Sequence, residues 1–333
     1  MRFSKYLLCF FPLFCAAQSA NPQAAIGGVS YVAPAPLAVA PGQLITLFVP
    51  NSGISLTGPV RAPSGTLPTS LAGFSAIFRQ GSDIPMPILM VQPISTCSTG
   101  APPPSSCGAT TAVTVQIPFG IRTLCPLCLT SDSAPFFFTM IAIAINGSTG
   151  PFLEVNPLSD QIHFLTSCDV ILPTVGSYSP TGLPCPQLVT HADGTAVSPR
   201  NPAKGGEALI AYATGLGQTN PPLNSGQAAT AADPVQTPFG VDFNYRPNAL
   251  ATRPPGAYRI GIPASLLYAG ATPGFAGLYQ INFVVPPPPP SGLAPCVDWT
   301  TSPPGINVVQ TNLTVSVGSV YSFDGAGICV QPN

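Results

Sequence analysis

The segment Val113-Thr114-Val115-Gln116-Ile117-Pro118 decides the fold, and Ile281-Asn282-Phe283-Val284-Val285-Pro286 is its counterpart. In both segments an apolar side chain occupies every second position, and a proline follows. A period of two with one apolar face is typical of a half-buried antiparallel β-strand. The same alternation recurs at 141–145, 241–245 and 313–317. We therefore predict a strand at each of these five places.

Glycine and proline punctuate the chain between these strands. The 333 residues include 32 Gly and 44 Pro, which leaves little room for long helices. Many short strands between Gly/Pro turns are typical of β-sandwiches. Apolar residues make up 45% of the chain, so it can bury enough surface to offset the entropy lost on ordering. The sequence predicts a folded, all-β protein.

The two halves of the chain resemble each other in five blocks, which occur in the same order and lie roughly 165 to 175 residues apart. The first-half blocks begin at Pro41, Leu71, Pro87, Val113 and Ile143, and their counterparts begin at Gly205, Pro238, Ala264, Ile281 and Thr314. This order indicates a tandem duplication. We predict two immunoglobulin-like β-sandwich domains, at 24–165 and 187–333, joined by a connector at 166–186.

Four blocks of the second half carry a family resemblance: 188–195, 201–207, 212–217 and 274–282. They resemble an uncharacterised repeat domain of the Solibacter type, found at the C-terminus of exported acidobacterial proteins. That domain is similar in outline to the immunoglobulin-like modules called IPT/TIG domains. The resemblance is strong over residues 186–333 and weaker over 24–165, where a cysteine-containing segment departs from the pattern. It implies the fold and export, and it implies no activity.

The start of the chain is typical of a secretory signal. A positively charged beginning and the apolar run 6–14 precede small residues at Ala17 and Ser19. We predict a signal peptide at 1–19, cleaved after Ser19, and lipid attachment at Cys15 is the less favoured alternative. The apolar run is too short to span the roughly 30 Å of a bilayer core. The mature chain is therefore expected to be secreted, periplasmic or at the cell surface, with no membrane span.

Two of the ten cysteines leave with that signal, and an even number remains. In an exported chain this predicts disulfides. We expect the local pairs Cys97–Cys107, Cys125–Cys128, Cys168–Cys185 and Cys296–Cys329, and the main rival joins Cys125 or Cys128 to Cys168. We interpret the Cys-Pro-Leu-Cys motif at 125–128 as a structural bridge. No βαβ pattern of a redox centre and no second Cys/His pair of a zinc site accompanies it.

The sequence offers no recognisable catalytic, metal or cofactor site. His163 and His191 are the only histidines that could act as bases. No Gly-x-Ser-x-Gly motif occurs, and the acidic residues are scattered rather than paired as glycosidases require. We interpret His191, which lies just before the turn-forming pair Asp193-Gly194, as a surface residue. The protein is expected not to be an enzyme.

The expected function is therefore binding. Charged residues are only 6% of the chain and the net charge is −1, which argues against a partner that is a nucleic acid or an anionic lipid. A surface so poor in charge is weakly protected from association, which favours a module for adhesion, envelope association or scaffolding through protein contacts. The alternative is a carbohydrate-binding extracellular protein. Its candidate aromatic residues are Trp299, Tyr178, Tyr245, Tyr258 and Tyr268.

Overall fold

In the computed structural model, the described part of the chain contains 22 strands and no helix, which confirms the all-β prediction. The structure describes residues 26–28, 31–32, 37–96, 108–123, 138–167, 169, 186–236, 238, 240–256, 262–263, 265–298, 308–319 and 322–333. The segment 1–19, predicted to be a signal peptide, lies outside these residues, and so do eight of the ten cysteines. The strands form four sheets.

The first half of the chain forms two of these sheets. The first sheet contains β1 (Ile26–Gly28), β2 (Tyr31–Val32), β4 (Leu44–Pro50), β5 (Val60–Arg61), β9 (Ile88–Thr96) and β10 (Gly108–Gln116), in the order β2-β1-β4-β10-β9-β5. The second contains β3 (Leu37–Val39), β6 (Ser70–Leu71), β7 (Phe74–Gln80), β8 (Ser82–Met86), β11 (Met140–Ile145), β12 (Ser148–Thr149) and β13 (Leu153–Pro157). Its main path is β3-β13-β11-β7-β6, and only the β3–β13 pair is parallel.

The other two sheets come mainly from the second half. The third sheet contains β14 (His163–Phe164), β15 (Val189–His191), β16 (Ala208–Thr214), β19 (Ser265–Ala271) and β20 (Tyr279–Val284), in the order β14-β16-β20-β19, with β15 also paired to β16. The fourth contains β17 (Gly240–Asn244), β18 (Ile262–Pro263), β21 (Leu313–Gly318) and β22 (Phe323–Ile328), in the order β18-β17-β21-β22. Strand β20 lies between β16 and β19, just as β10 lies between β4 and β9.

Each pair of sheets shares one hydrophobic core. In the first core, Leu47 and Val115 of the first sheet pack with Phe78 of the second. In the second core, the rings of Phe243 and Phe283 meet edge to face, with centroids 5.5 Å apart. These contacts follow from the alternation in the sequence, because every second side chain of a strand points to the same face.

All five strands predicted from alternation are present, as β10, β11, β17, β20 and β21. The prediction that they are half-buried is wrong for two of them. On β10, the polar residues Thr114 and Gln116 are as buried as the apolar ones, and on β21 the same holds for Thr314. The reason is a second covering layer: the Gln116 side chain accepts a hydrogen bond from Gly226 N, and Thr314 Oγ1 donates to Ala249 O.

The covering layer over β10 comes from the second half of the chain. A small apolar cluster joins Leu44 of β4 to Leu165, with Leu89, Leu188, Tyr212 and Leu278 packed around them. Two hydrogen bonds cross the same contact: Leu67 N donates to the carbonyl oxygen of Gly226 at 2.9 Å, and Phe119 N donates to the side-chain Oγ of Ser225 at 2.9 Å. The two pairs of sheets are therefore in direct contact.

Strand β14 lies within the range predicted for the first domain but pairs with β16 of the third sheet. Ile162 and Phe164 accordingly belong to the second core. Gly215 permits this approach, because its φ is +78° and a Cβ there would overlap the backbone of Gln161. Residues 161–165 are thus built into the second pair of sheets.

Candidate binding site

Two adjacent cavities open on the second pair of sheets. The larger, which we call the cleft, has a volume of about 630 Å³ and is lined by Val189, Val197, Ile328 and residues of several loops. The smaller, which we call the polar cavity, has a volume of about 290 Å³ and is lined by residues that include Gln43, His163, Thr214, Phe323 and Asp324. Gln187 and Leu250 line both. The cavities are neighbours with a shared wall.

The cleft has an apolar floor and a polar rim. Val189 of β15 and Ile328 of β22 come from the two sheets of the second pair. At the rim, Arg200 forms an ion pair with Asp298. The side chain of Asn248 fixes one wall, because its Oδ1 accepts hydrogen bonds from two backbone N–H groups and its Nδ2 donates to Val308 O at 2.6 Å. Such a floor with a few fixed polar groups is typical of binding sites.

A disulfide forms part of the cleft wall. The sulfur atoms of Cys296 and Cys329 lie 2.16 Å apart, and the Cα atoms are 6.0 Å apart. This is the pair that the sequence predicts for the last third of the chain. Cys329 lines the cleft directly. The other candidates, Cys97, Cys107, Cys125, Cys128, Cys168 and Cys185, lie outside the described residues.

His163 lies between two carboxylates at the polar cavity. Its Nε2 is 3.3 Å from Asp169 Oδ2, and its Nδ1 is 3.3 Å from Asp324 Oδ2. Burial by itself lowers the pKa of His163, but the hydrogen bonds and charges of the two carboxylates outweigh it and raise the pKa to about 9. His163 is therefore a cation at neutral pH, between two aspartate side chains.

Backbone groups hold both carboxylates in place. Asp324 Oδ2 accepts a hydrogen bond from Phe164 N at 2.9 Å, and Asp169 Oδ2 accepts one from Thr166 N at 2.5 Å. Asp324 belongs to β22, near the C-terminal end of the sequence, whereas His163 lies near its middle. The cluster exists because β14 and β22 are edge strands of two sheets that share one core.

Several buried oxygens near His163 lack a hydrogen-bond partner among the described residues. They are Oδ2 of Asp160, Oδ1 of Asp169 and Oγ1 of Thr214. Thr214 is directly opposite His163 in the β14–β16 register and lines the polar cavity. Burial raises the pKa of Asp160, although Ser319 and Ser322 oppose this by hydrogen bonding. A buried polar atom without a partner costs free energy, so this region has spare capacity for a hydrogen-bond donor.

His191 is buried, which corrects the prediction that it lies at the surface. Its Nδ1 is 2.5 Å from Glu207 Oε1, and its Nε2 is 3.2 Å from the carbonyl oxygen of Asn201. Burial lowers the pKa of His191, but these hydrogen bonds raise it overall. The surface interpretation was wrong because the groups that engage the ring, Asn201 and Glu207, lie ten and sixteen residues further along the chain. Both histidines thus have both ring nitrogens engaged by acceptors.

Of the candidate aromatic residues for carbohydrate binding, the structure describes Tyr245 and Tyr268, and neither lines the cleft or the polar cavity. The hydroxyl of Tyr245 donates to Pro286 O, and that of Tyr268 is within 3.1 Å of two carbonyl oxygens. Burial raises the pKa of each hydroxyl to about 12. Trp299, Tyr178 and Tyr258 lie outside the described residues. The aromatic residue that lines the polar cavity at its surface is Phe323.

The described residues contain no group of three or more His, Cys, Asp or Glu side chains suited to hold a metal ion. They also contain no helix long and apolar enough to cross a membrane. The chain matches no protein-family model, and no curated protein matches it.

Proposed function

We propose that this protein is an exported, non-catalytic module that binds a protein partner in the cleft and so serves in adhesion, envelope association or scaffolding. The observation that carries the proposal is the cleft itself, about 630 Å³ in volume, with an apolar floor and the Arg200–Asp298 pair at its rim. An apolar site with few, well-placed polar groups is suited to binding.

Exposed apolar side chains beside the cleft support a protein partner. Leu250 is 57% exposed on the wall between the two cavities, and Phe323 is 38% exposed in the polar cavity. Single exposed apolar residues are ordinary, but grouped ones around a concave site mark interaction surfaces. A partner that covers Leu250 and Phe323 removes both from water.

The state of the two histidines supports a role without catalysis. A general base needs a ring nitrogen free to accept a proton. His163 is protonated at neutral pH between two carboxylates, and His191 is held by Glu207 and a carbonyl group. Each side chain is engaged in stabilising the fold.

The proposed architecture is a tandem of immunoglobulin-like sandwich domains, exported after removal of residues 1–19. The two pairs of sheets, each with its own core, support it. So does the shared neighbour order, in which β4-β10-β9 matches β16-β20-β19 and β7-β11 matches β17-β21. The resemblance to the Solibacter-type repeat domain agrees with this architecture.

The test uses the mature protein, immobilised and exposed to envelope and culture-fluid fractions, with quantitative mass spectrometry as the readout. We expect the wild type to retain a partner, and Leu250→Asp to retain at least tenfold less of it, because a charge at the wall opposes burial. Leu267→Asp is the matched control, since Leu267 is 58% exposed on β19, away from both cavities. The proposal is contradicted if both variants lose the partner to the same extent, or if neither variant loses it.

Carbohydrate binding is the second candidate, and Phe323 beside Asp324 is the observation that favours it. An aromatic face next to a carboxylate can stack on a sugar ring while accepting hydrogen bonds from its hydroxyls. A glycan panel run beside the partner screen tests this. A glycan retained by the wild type and lost by Phe323→Ala supports carbohydrate binding over protein binding.

A further inference from the structure

We propose that the polar cavity receives a cationic side chain of the protein partner, the ammonium group of a lysine or the guanidinium group of an arginine. The inference rests on the proposed function, because it names the anchor by which the partner is held next to the cleft. Charge, hydrogen-bonding capacity and shape each point to this class of group.

The charge of the cavity is the first argument. Two aspartate side chains, Asp169 and Asp324, flank the single imidazole of His163, so acidic groups outnumber basic groups in this cluster. None of the described residues that line the cavity is a lysine or an arginine. An opposite charge placed beside a partly buried carboxylate is attracted more strongly than in bulk water, because the surroundings screen it less. An anionic ligand is repelled by the same surplus.

The hydrogen-bonding capacity is the second argument. The hydroxyl of Thr214, a residue that lines the cavity, has no partner among the described residues. Asp324 lines the cavity with its side chain one-third exposed, and its Oδ1 accepts one hydrogen bond, from Gly325 N, so this oxygen can accept another. A guanidinium group brings five N–H donors and an ammonium group three, with no acceptor in either. A cationic group therefore supplies what the cavity lacks.

The shape of the cavity is the third argument. Leu37 from the first half and Leu250 and Phe323 from the second half form apolar parts of its wall. Lysine and arginine have long aliphatic stems that pack on apolar surface while the charged end reaches polar groups. The face of Phe323 can also attract the cation. A volume of about 290 Å³ admits one such side chain.

The test is a calorimetric titration of the mature protein with three blocked tripeptides, acetyl-Gly-Arg-Gly-amide, its lysine analogue and its citrulline analogue. Citrulline keeps the shape of arginine without the charge. We expect at least one basic peptide to bind at least tenfold more tightly than the citrulline peptide. Its affinity should fall as NaCl rises from 50 to 500 mM. Glucose is titrated in parallel.

Two variants locate the site. Asp324→Asn removes the partly exposed carboxyl group, and we expect the affinity for the basic peptide to fall at least tenfold. Asp193→Asn makes the same change in an exposed turn of the same half and leaves affinity unchanged. Because Asp324 also supports Phe164 and His163, Thr214→Val provides a second test. The Thr214 hydroxyl has no partner among the described residues, so its removal should leave the melting temperature unchanged. The affinity for the basic peptide should nevertheless fall several-fold.

Equal binding of the arginine and citrulline peptides, or no binding of either, overturns the inference. If glucose binds without competing with the peptides and without depending on Asp324, the cationic site stands. If glucose binds, the peptides do not, and both Asp324→Asn and Thr214→Val abolish glucose binding, the cavity is a sugar site instead. Failure of the proposed function gives a different result: no partner in the screen is lost by Leu250→Asp. A partner that depends on Leu250 but ignores Asp324 and Thr214 refutes the anchor alone.

Discussion

At the level of single residues, the charge of His163 makes stability depend on pH. Its pKa is about 9 in the folded chain against about 6.5 in an unfolded one. Protonated His163 contributes at most roughly 3 kcal/mol to the free energy of unfolding. This contribution is fully present below pH 6.5 and is lost as pH rises through 9. We expect the urea midpoint to fall between pH 6.5 and 9.5.

The matched variant is His163→Gln, whose midpoint should vary much less over this range. The pKa of His191 is also raised, so His191→Gln measures the remaining slope. Working below pH 9.5 keeps the buried tyrosines, whose folded pKa values lie at about 12 or above, out of the titration. A slope that His163→Gln leaves unchanged would assign the pH dependence to another group.

Gly215 is the residue whose lack of a side chain lets β14 reach the third sheet. Gly215→Ala combines the strain of a positive φ with overlap on the Gln161 backbone, and we expect a loss of roughly 3 kcal/mol. Gly194→Ala has a similar φ with open space around it, so it should lose only about 1 kcal/mol. Chemical denaturation compares the two, and equal losses would show that the close approach to Gln161 costs nothing.

At the level of elements, β4 and β10 are joined across a buried face by a pair of threonines. Their hydroxyls lie 3.0 Å apart, so Thr114→Val leaves that of Thr46 without its partner and should cost about 1–3 kcal/mol. The double variant Thr46→Val/Thr114→Val removes both groups and should recover most of that loss. The double-mutant cycle is measured by urea denaturation. Additive losses would mean that the hydroxyl pair carries no coupling.

The Cys296–Cys329 disulfide ties the segment before β21 to the end of β22, with a sequence separation of 33. By the loop-entropy relation, Cys296→Ala/Cys329→Ala should lose roughly 3 to 4 kcal/mol. Denaturation without a reducing agent measures this while leaving the other cysteines as they are. A loss below about 1 kcal/mol would show that β21 and β22 hold this end of the chain without the bond.

How much the sequence predicts also differs between elements. Alternation located β10 and β21 correctly, because the period of two is a local property of a strand. It misjudged the polar faces of both strands, since the groups that cover Gln116 and Thr314 come from distant parts of the chain. The site escaped prediction for the same reason. His163 and Asp324 are brought together only when the two sheets share a core.

At the level of the whole molecule, contact between the two halves should make them unfold together. Gln116 links them, because its Oε1 accepts from Gly226 N at 2.6 Å while its Nε2 bonds Gly42 O. We expect one calorimetric transition whose van't Hoff and calorimetric enthalpies agree. Gln116→Ala should lower stability by about 1–3 kcal/mol and broaden that transition.

Gln80→Ala is the matched control, since the Gln80 side chain bonds Arg122 and Thr139 within the first half. It should leave the agreement of the two enthalpies intact. Two separate transitions in the unaltered protein would show that the halves are energetically independent despite their contact.

The wall that Leu250 and Gln187 share between the cleft and the polar cavity has a thermodynamic consequence. A ligand that displaces Leu250 on one side changes the surface offered on the other, so the two binding free energies are linked. Linkage is reciprocal: whatever factor one occupant imposes on the affinity of the second, the second imposes on the first. Two fragments of one partner, one for each cavity, would therefore change each other's affinity by the same factor.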